Sequence, residues 1–129
     1  MEIAFSNIWI IHESGITMCE VNERDVNDVL ITTSFLSAIQ HIFVESTGYH
    51  VKRIRLNSGD RIYFYWKKHF FVAGLTCGWA RSKDAREIIS KIARDFSSVY
   101  KRKIETWRGG NTSTFADFSK YVRNLIYWM

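Results

Sequence analysis

His12, Glu13 and Ser14 combine the three side-chain types of a general base, an orienting acid and a nucleophile. They follow the apolar residues 8–11 and precede Gly15. Consecutive residues of a strand point alternately to opposite faces, so three neighbours at a strand end are poorly placed to build one catalytic site. We therefore predict a turn between two strands here, and a protein with no catalytic residues.

Other chemistry-bearing residues are equally dispersed. The remaining candidate metal ligands are His41, His50, His69, Cys19 and Cys77. No pair among them has the short spacing of a structural zinc site, so we predict no metal site. Gly109-Gly110 precedes a predicted helix, but no lysine completes a phosphate-binding loop there. The sequence therefore indicates no cofactor.

Charge is divided unevenly along the chain. Residues 1–50 carry a net charge of −6 and residues 51–129 a net charge of +11, which together give +5. A group of basic residues gathers around the predicted second helix and the loop after it: Lys91, Arg94, Lys101, Arg102, Lys103 and Arg108. A groove for single-stranded nucleic acid would need several exposed aromatic side chains there, and Trp107 alone is a candidate. A solvated helix face, or a patch for an acidic protein or an anionic lipid, explains these cations better than nucleic-acid binding.

Length and composition indicate one folded domain. The 129 residues are 47% hydrophobic and 16% aromatic, which is enough to build a substantial core. Two cysteines without a framework pattern favour a reducing compartment. No apolar run approaches the ~18 residues of a membrane span, and acidic Glu2 stands where a signal peptide needs a basic region. We expect a soluble, cytoplasmic protein.

The first half of the chain predicts two strands and a helix. The runs "NIWIIH" and "ITMCEV" flank the turn "ESG", and the alternating second strand is expected at or near a sheet edge. From Asp25 to about Ser46 the spacing is helical, and its apolar residues cover about half the circumference. One flank of this helix should therefore remain available to a partner.

The second half predicts three strands and two helices. The strands are "VKRIRL", "RIYFYW" and "FFVAGLT", and the charges of the first are typical of a sheet edge. Asp84-x-x-Glu87 resembles a capping box at the start of the second helix, residues 101–113 are expected to form a loop, and Thr114-x-x-Asp117 predicts the start of the third helix.

This order of eight elements resembles the longin domain over essentially the whole chain. The stretches that carry the resemblance are "IWIIHESGITM" in the first hairpin, "FLSAIQHIF" in the first helix, and residues 107–110 followed by Phe115-x-x-Phe118. The resemblance implies an α+β fold, an α/β/α sandwich. Its five-stranded antiparallel sheet has the order 2-1-5-4-3, with one helix on one face and two on the other. Roadblock and profilin-like domains are the competing relatives.

The resemblance also implies a function in protein binding. Longin domains serve SNARE proteins, clathrin adaptors, the signal-recognition-particle receptor and exchange-factor complexes for small GTPases, and stand-alone forms occur in archaea. The chain has no SNARE helix after its last predicted helix, so a stand-alone archaeal-type longin protein is the closest match. The expected partner is a small GTPase, or another longin or roadblock-like domain, in vesicle-trafficking-type assembly.

The predicted docking surface is the first helix with the edge strand after it. Its candidate residues are Phe35, Leu36, Ile39, Ile42, Phe43, Lys52, Arg53 and Arg55, although periodicity leaves open which flank of the helix faces outward. Apolar residues surround the last helix, so Ile126, Tyr127 and Trp128 are candidates for a homodimer or partner contact. The alternatives are a profilin-like sensor of small ligands and a basic adaptor for nucleic acid or an anionic surface, with peripheral membrane contact.

Overall fold

The computed structural model describes residues 5–23, 33–76 and 80–127. One antiparallel sheet has the order β2-β1-β5-β4-β3. Its strands are β1 (Phe5–His12), β2 (Thr17–Asn22), β3 (Arg53–Arg55), β4 (Arg61–Lys67) and β5 (Phe70–Thr76). The helices are α1 (Thr33–Thr47), α2 (Ser82–Thr106) and α3 (Phe118–Tyr127). The predicted α+β class, antiparallel sheet and strand order are confirmed.

The two central strands are buried on both faces of the sheet. Every residue of β5 is buried, as are residues 8–11 of β1. Ile8 and Ile10 join the core on one face, whereas Trp9 and Ile11 join the core on the other. Strands of this kind need cover on both faces, which the helices provide.

The helices are divided between the two faces as the resemblance implies. Ile89 and Phe96 of α2 and Val122 of α3 pack with Ile8 and Ile10. Leu36 of α1 packs with Trp9 on the opposite face. The sheet is therefore the middle layer of an α/β/α sandwich.

An aromatic cluster fixes α3 against α2 and the sheet. The Phe96 ring lies between 5.0 and 5.5 Å, centroid to centroid, from the rings of Phe70, Tyr100, Phe115 and Phe118. Contacts in this range add stabilisation beyond the burial of apolar area. The backbone of α2 departs from helical geometry at Tyr100, within this cluster.

Three predicted helix boundaries were wrong. Helix α2 begins at Ser82, and Asp84 pairs with the Arg81 side chain at 2.8 Å, so Asp84 is not the residue that caps the helix. The helix also continues to Thr106, through residues predicted as loop, because buried Ile104 extends its apolar face. A short 3₁₀ turn occupies Ser113–Phe115, and α3 begins only at Phe118.

The predicted turn between the first two strands is present, closed by a hydrogen bond from the Gly15 N–H to the His12 carbonyl. Gly15 between β1 and β2 and Gly48 after α1 have φ angles of 95° and 78°, which glycine adopts without strain. The predicted helix start at Asp25 lies outside the described residues. Within the described ranges, no helix has both the length and the apolar character needed to cross a membrane.

Gly74 is a position where the central sheet admits no side chain. A Cβ atom there would lie 2.6 Å from the Phe5 ring and 2.9 Å from Ile8 Cδ1. We predict that Gly74→Ala lowers the free energy of unfolding by about 1–3 kcal/mol, because both neighbours are buried and must shift. Urea unfolding of Gly74→Ala, Phe5→Leu and the double variant measures the effect. The double variant should lose less than the sum of the single losses, and strict additivity would contradict the clash.

Candidate functional site

Helix α1 exposes a stripe of apolar side chains. The α1 stripe consists of Phe35, Ile39, Ile42 and Phe43, which follow the i, i+4, i+7, i+8 spacing of one helix side. Phe35, Ile42 and Phe43 are 45%, 60% and 48% exposed, and Ile39 is half-buried. Large apolar side chains grouped in this way are typical of an interaction surface.

The side of α1 that faces the sheet is partly polar. Leu36, Ser37 and Gln40 are buried there. The structure therefore corrects one candidate docking residue, since Leu36 is fully buried in the core against the sheet and is not accessible to a partner. The apolar residues of α1 cover about half of the helix circumference. This is wide enough for Leu36 to contact the core while the α1 stripe beside it is exposed.

Gln40 explains why a polar residue occupies this buried position. Its Nε2 donates to the Val51 carbonyl at 2.8 Å, and its Oε1 accepts the Val51 N–H at 2.9 Å. The amide thus satisfies both backbone groups of Val51, just before β3, as a neighbouring strand would. This pair of hydrogen bonds places the edge of the sheet beside α1.

The edge strand β3 and the residue before it carry the predicted cations. Lys52, Arg53 and Arg55 are exposed, and β3 pairs only with the first half of β4, from Arg61 to Tyr63. Tyr49 also belongs to this region and is 77% exposed. Tyr49 was not among the predicted docking residues, although its position after Gly48 was the available signal.

The C-terminal candidates are separated by the structure. Ile126 is fully buried with Phe118 and Val122 in the core between α3 and the sheet. Its prediction as a dimer or partner contact is therefore corrected, because the i, i+4, i+8 spacing directs all three residues inward. The Tyr127 side chain and Trp128 lie outside the described residues.

His12 and Ser14 do interact, but as a local turn. The Ser14 N–H donates to His12 Nδ1 at 3.1 Å, and the Ser14 hydroxyl lies 2.8 Å from the same nitrogen. Glu13 turns away and contacts His69 Nδ1 at 3.3 Å. Among the described residues, no carboxylate hydrogen-bonds to His12, so the arrangement lacks the acid of a triad.

The surroundings of His12 disfavour its charged form. The imidazole is buried, and the Trp107 ring packs edge-on with its centroid 4.8 Å away. Burial is the main cause that lowers the pKa of His12; Glu13 opposes the shift, while His69 and Arg108 add to it. His69 itself has a φ of 76° in the β4–β5 turn, a conformation unusual for a residue with a side chain.

The other sequence candidates are dispersed in the fold. The described residues contain no group of three side chains able to hold a metal ion. Cys19 is buried, and burial raises its pKa to about 12, so its reactive thiolate form is disfavoured. Cys77 lies outside the described residues. Trp107 is half-buried between His12 and Phe115, so the single aromatic residue that the sequence offered for stacking beside the basic residues of α2 is only partly accessible.

No protein-family model matches the sequence, and no curated protein matches it.

The Gln40–Val51 contact yields a stability prediction. We expect Gln40→Ala to lower the free energy of unfolding by about 1–3 kcal/mol, because it leaves the Val51 N–H and C=O without their partner. Urea unfolding measures the loss, and hydrogen exchange at the Val51 amide locates it. His41→Ala is a control, since His41 is exposed on the same helix. Unchanged exchange at Val51 in Gln40→Ala would contradict the proposed support.

His12 yields a pH prediction. Because its folded-state pKa lies below the unfolded value of 6.5, the unfolded chain binds the proton more tightly. The contribution of neutral His12 to the free energy of unfolding is therefore complete above pH 6.5. It is lost as the pH falls through 6.5 toward the folded-state pKa. The free energy of unfolding of the wild type should drop more between pH 7.5 and 5.5 than that of His12→Asn. Asparagine offers a similar acceptor to Ser14 but does not titrate; equal drops would refute the assignment.

Proposed function

We propose that this protein is a non-enzymatic protein–protein interaction module that binds its partner through the α1 stripe and the neighbouring strand β3. The observation that carries the proposal is the orientation of α1. This helix buries Ser37 and Gln40, whereas Phe35, Ile42 and Phe43 remain about half exposed. Because these large apolar side chains are exposed to solvent, the fold lacks the stabilisation that their burial would give. A partner that covers them would supply it as binding free energy.

The charge of the edge strand narrows the kind of partner. Lys52, Arg53 and Arg55 are exposed at the sheet edge that follows Val51, the residue bound to Gln40, and they form no ion pair within the described part of the chain. A partner with an apolar centre and an acidic rim fits this surface, because complementary charge favours association and register. Contact through an apolar helix face also agrees with common modes of recognition.

The resemblance to longin domains suggests the class of this partner. It favours a small GTPase, or another longin or roadblock-like domain, in cytoplasmic assembly of the vesicle-trafficking type. A second copy of the chain is the alternative occupant of the same stripe, and the resulting homodimer would cover Ile42 and Phe43 in both protomers. The two cases differ in whether recovery depends on a guanine nucleotide.

Affinity capture from the protein's own cell lysate tests the proposal, with a non-hydrolysable GTP analogue in one sample and GDP in the other. We predict that the Ile42→Ser/Phe43→Ala variant recovers at least tenfold less of the GTPase than the wild type, because roughly 3 kcal/mol of apolar contact is lost. Quantitative mass spectrometry measures the recovery, and thermal unfolding verifies that the variant remains folded.

The matched control is Val99→Ser. Val99 is an equally accessible apolar residue on α2, 64% exposed against 60% for Ile42. The Val99→Ser variant should recover as much GTPase as the wild type. Equal loss of GTPase in both variants would refute the α1 stripe as the docking surface. Recovery of the chain alone, independent of nucleotide, would replace the GTPase partner by a homodimer.

A further inference from the structure

A cleft lies where β4 extends past its neighbour β3. Strand β3 pairs with β4 only from Arg61 to Tyr63, so within the described residues no strand lies beside Tyr65 and Trp66 on that edge. The space between this edge and the first turns of α2 has a volume of about 610 Å³. Pockets for small molecules typically measure about 300–1,000 Å³, so the β4 cleft is large enough to hold one.

The walls of the β4 cleft are mainly apolar and aromatic. Phe64, Tyr65 and Trp66 border it from the strand, and Ile89 borders it from α2. Tyr65 and Ile89 pack on the α2 side of the sheet, whereas the Trp66 ring packs on the opposite side, stacked 4.0 Å from His50 and 4.6 Å from Phe71 between centroids. The apolar surface that Tyr65 and Ile89 give the cleft favours a ligand with an apolar body.

Unpaired cations surround the opening. Lys52, Lys83 and Arg86 border the cleft, and Glu87 is the single carboxylate beside them. None of these four side chains forms an ion pair or a hydrogen bond within the described residues. In contrast, Lys91 on the same helix is paired with an aspartate. The cleft therefore has excess positive charge that the protein itself does not neutralise.

Cations without a partner in the protein favour a ligand with negatively charged oxygen acceptors.

We propose that the β4 cleft binds a small organic anion whose apolar body lies against Tyr65 and whose charged oxygens meet Lys83 and Arg86. This site is separate from the α1 stripe. It would make the protein a ligand-responsive module whether or not a GTPase binds elsewhere.

Titration with three probes tests the site. The probes are 1-naphthyl phosphate, which has both body and charge, 1-naphthol, which has the body alone, and inorganic phosphate, which has the charge alone. Nuclear magnetic resonance of the isotope-labelled full chain follows the backbone amide signals of Tyr65 and Ile89. We expect 1-naphthyl phosphate to bind about tenfold more tightly than either single-feature probe, with the largest shifts at these two residues. Equal affinity for 1-naphthol, absence of binding at millimolar concentration, or shifts centred on the α1 stripe would overturn the proposal.

Matched charge variants complete the test. Lys83→Gln/Arg86→Gln removes two cations at the cleft and should weaken 1-naphthyl phosphate about tenfold without changing the affinity for 1-naphthol. Lys101→Gln/Arg102→Gln removes the same charge from exposed positions of α2 away from the cleft. This control should retain the wild-type affinity. Equal weakening in both variants would assign the effect to net charge and refute the site.

Discussion

The pairing of β1 with β5 is the constraint on which the rest of the structure depends. Both strands are buried on both faces, so neither face of the sheet can be left to water. The space is so restricted that Gly74 of β5 lies against the Phe5 ring where any other residue would place a Cβ atom. Helices on both faces, and the shorter strands β2 and β3 at the edges, follow from this central pair.

The two faces are covered in different ways. Helix α2 is long and joins α3 through the aromatic cluster around Phe96, so one face is sealed by apolar contacts. On the other face, α1 contributes Leu36 to the core, together with the polar side chains of Ser37 and Gln40. Gln40 uses its amide to hold Val51 rather than to fill apolar space. The remaining apolar side chains of α1, those of the α1 stripe, are consequently exposed to solvent.

The sequence allowed much of the fold to be predicted, but less of the candidate sites. Apolar runs and turn residues located the five strands, and the charges of residues 52–55 indicated an edge. The orientation of α1 was not predictable from hydrophobicity, because an arc covering half the helix permits either flank to face the sheet. The choice depends on Gln40, whose partner Val51 is eleven residues away. The β4 cleft was missed for a similar reason, since Lys52 and Lys83 become neighbours only through the fold.

The segment 49–52 serves both candidate surfaces, and this determines how they can be separated. Tyr49 is exposed near the α1 stripe, while His50 stacks on Trp66 and Lys52 borders the β4 cleft. Val51, between them, is fixed by Gln40. A disturbance of this support should therefore affect both surfaces, whereas removal of Ile42 or Arg86, which contribute only to one surface each, should affect one. Binding at the stripe and in the cleft is thus distinguishable from a general loosening of the edge of the sheet.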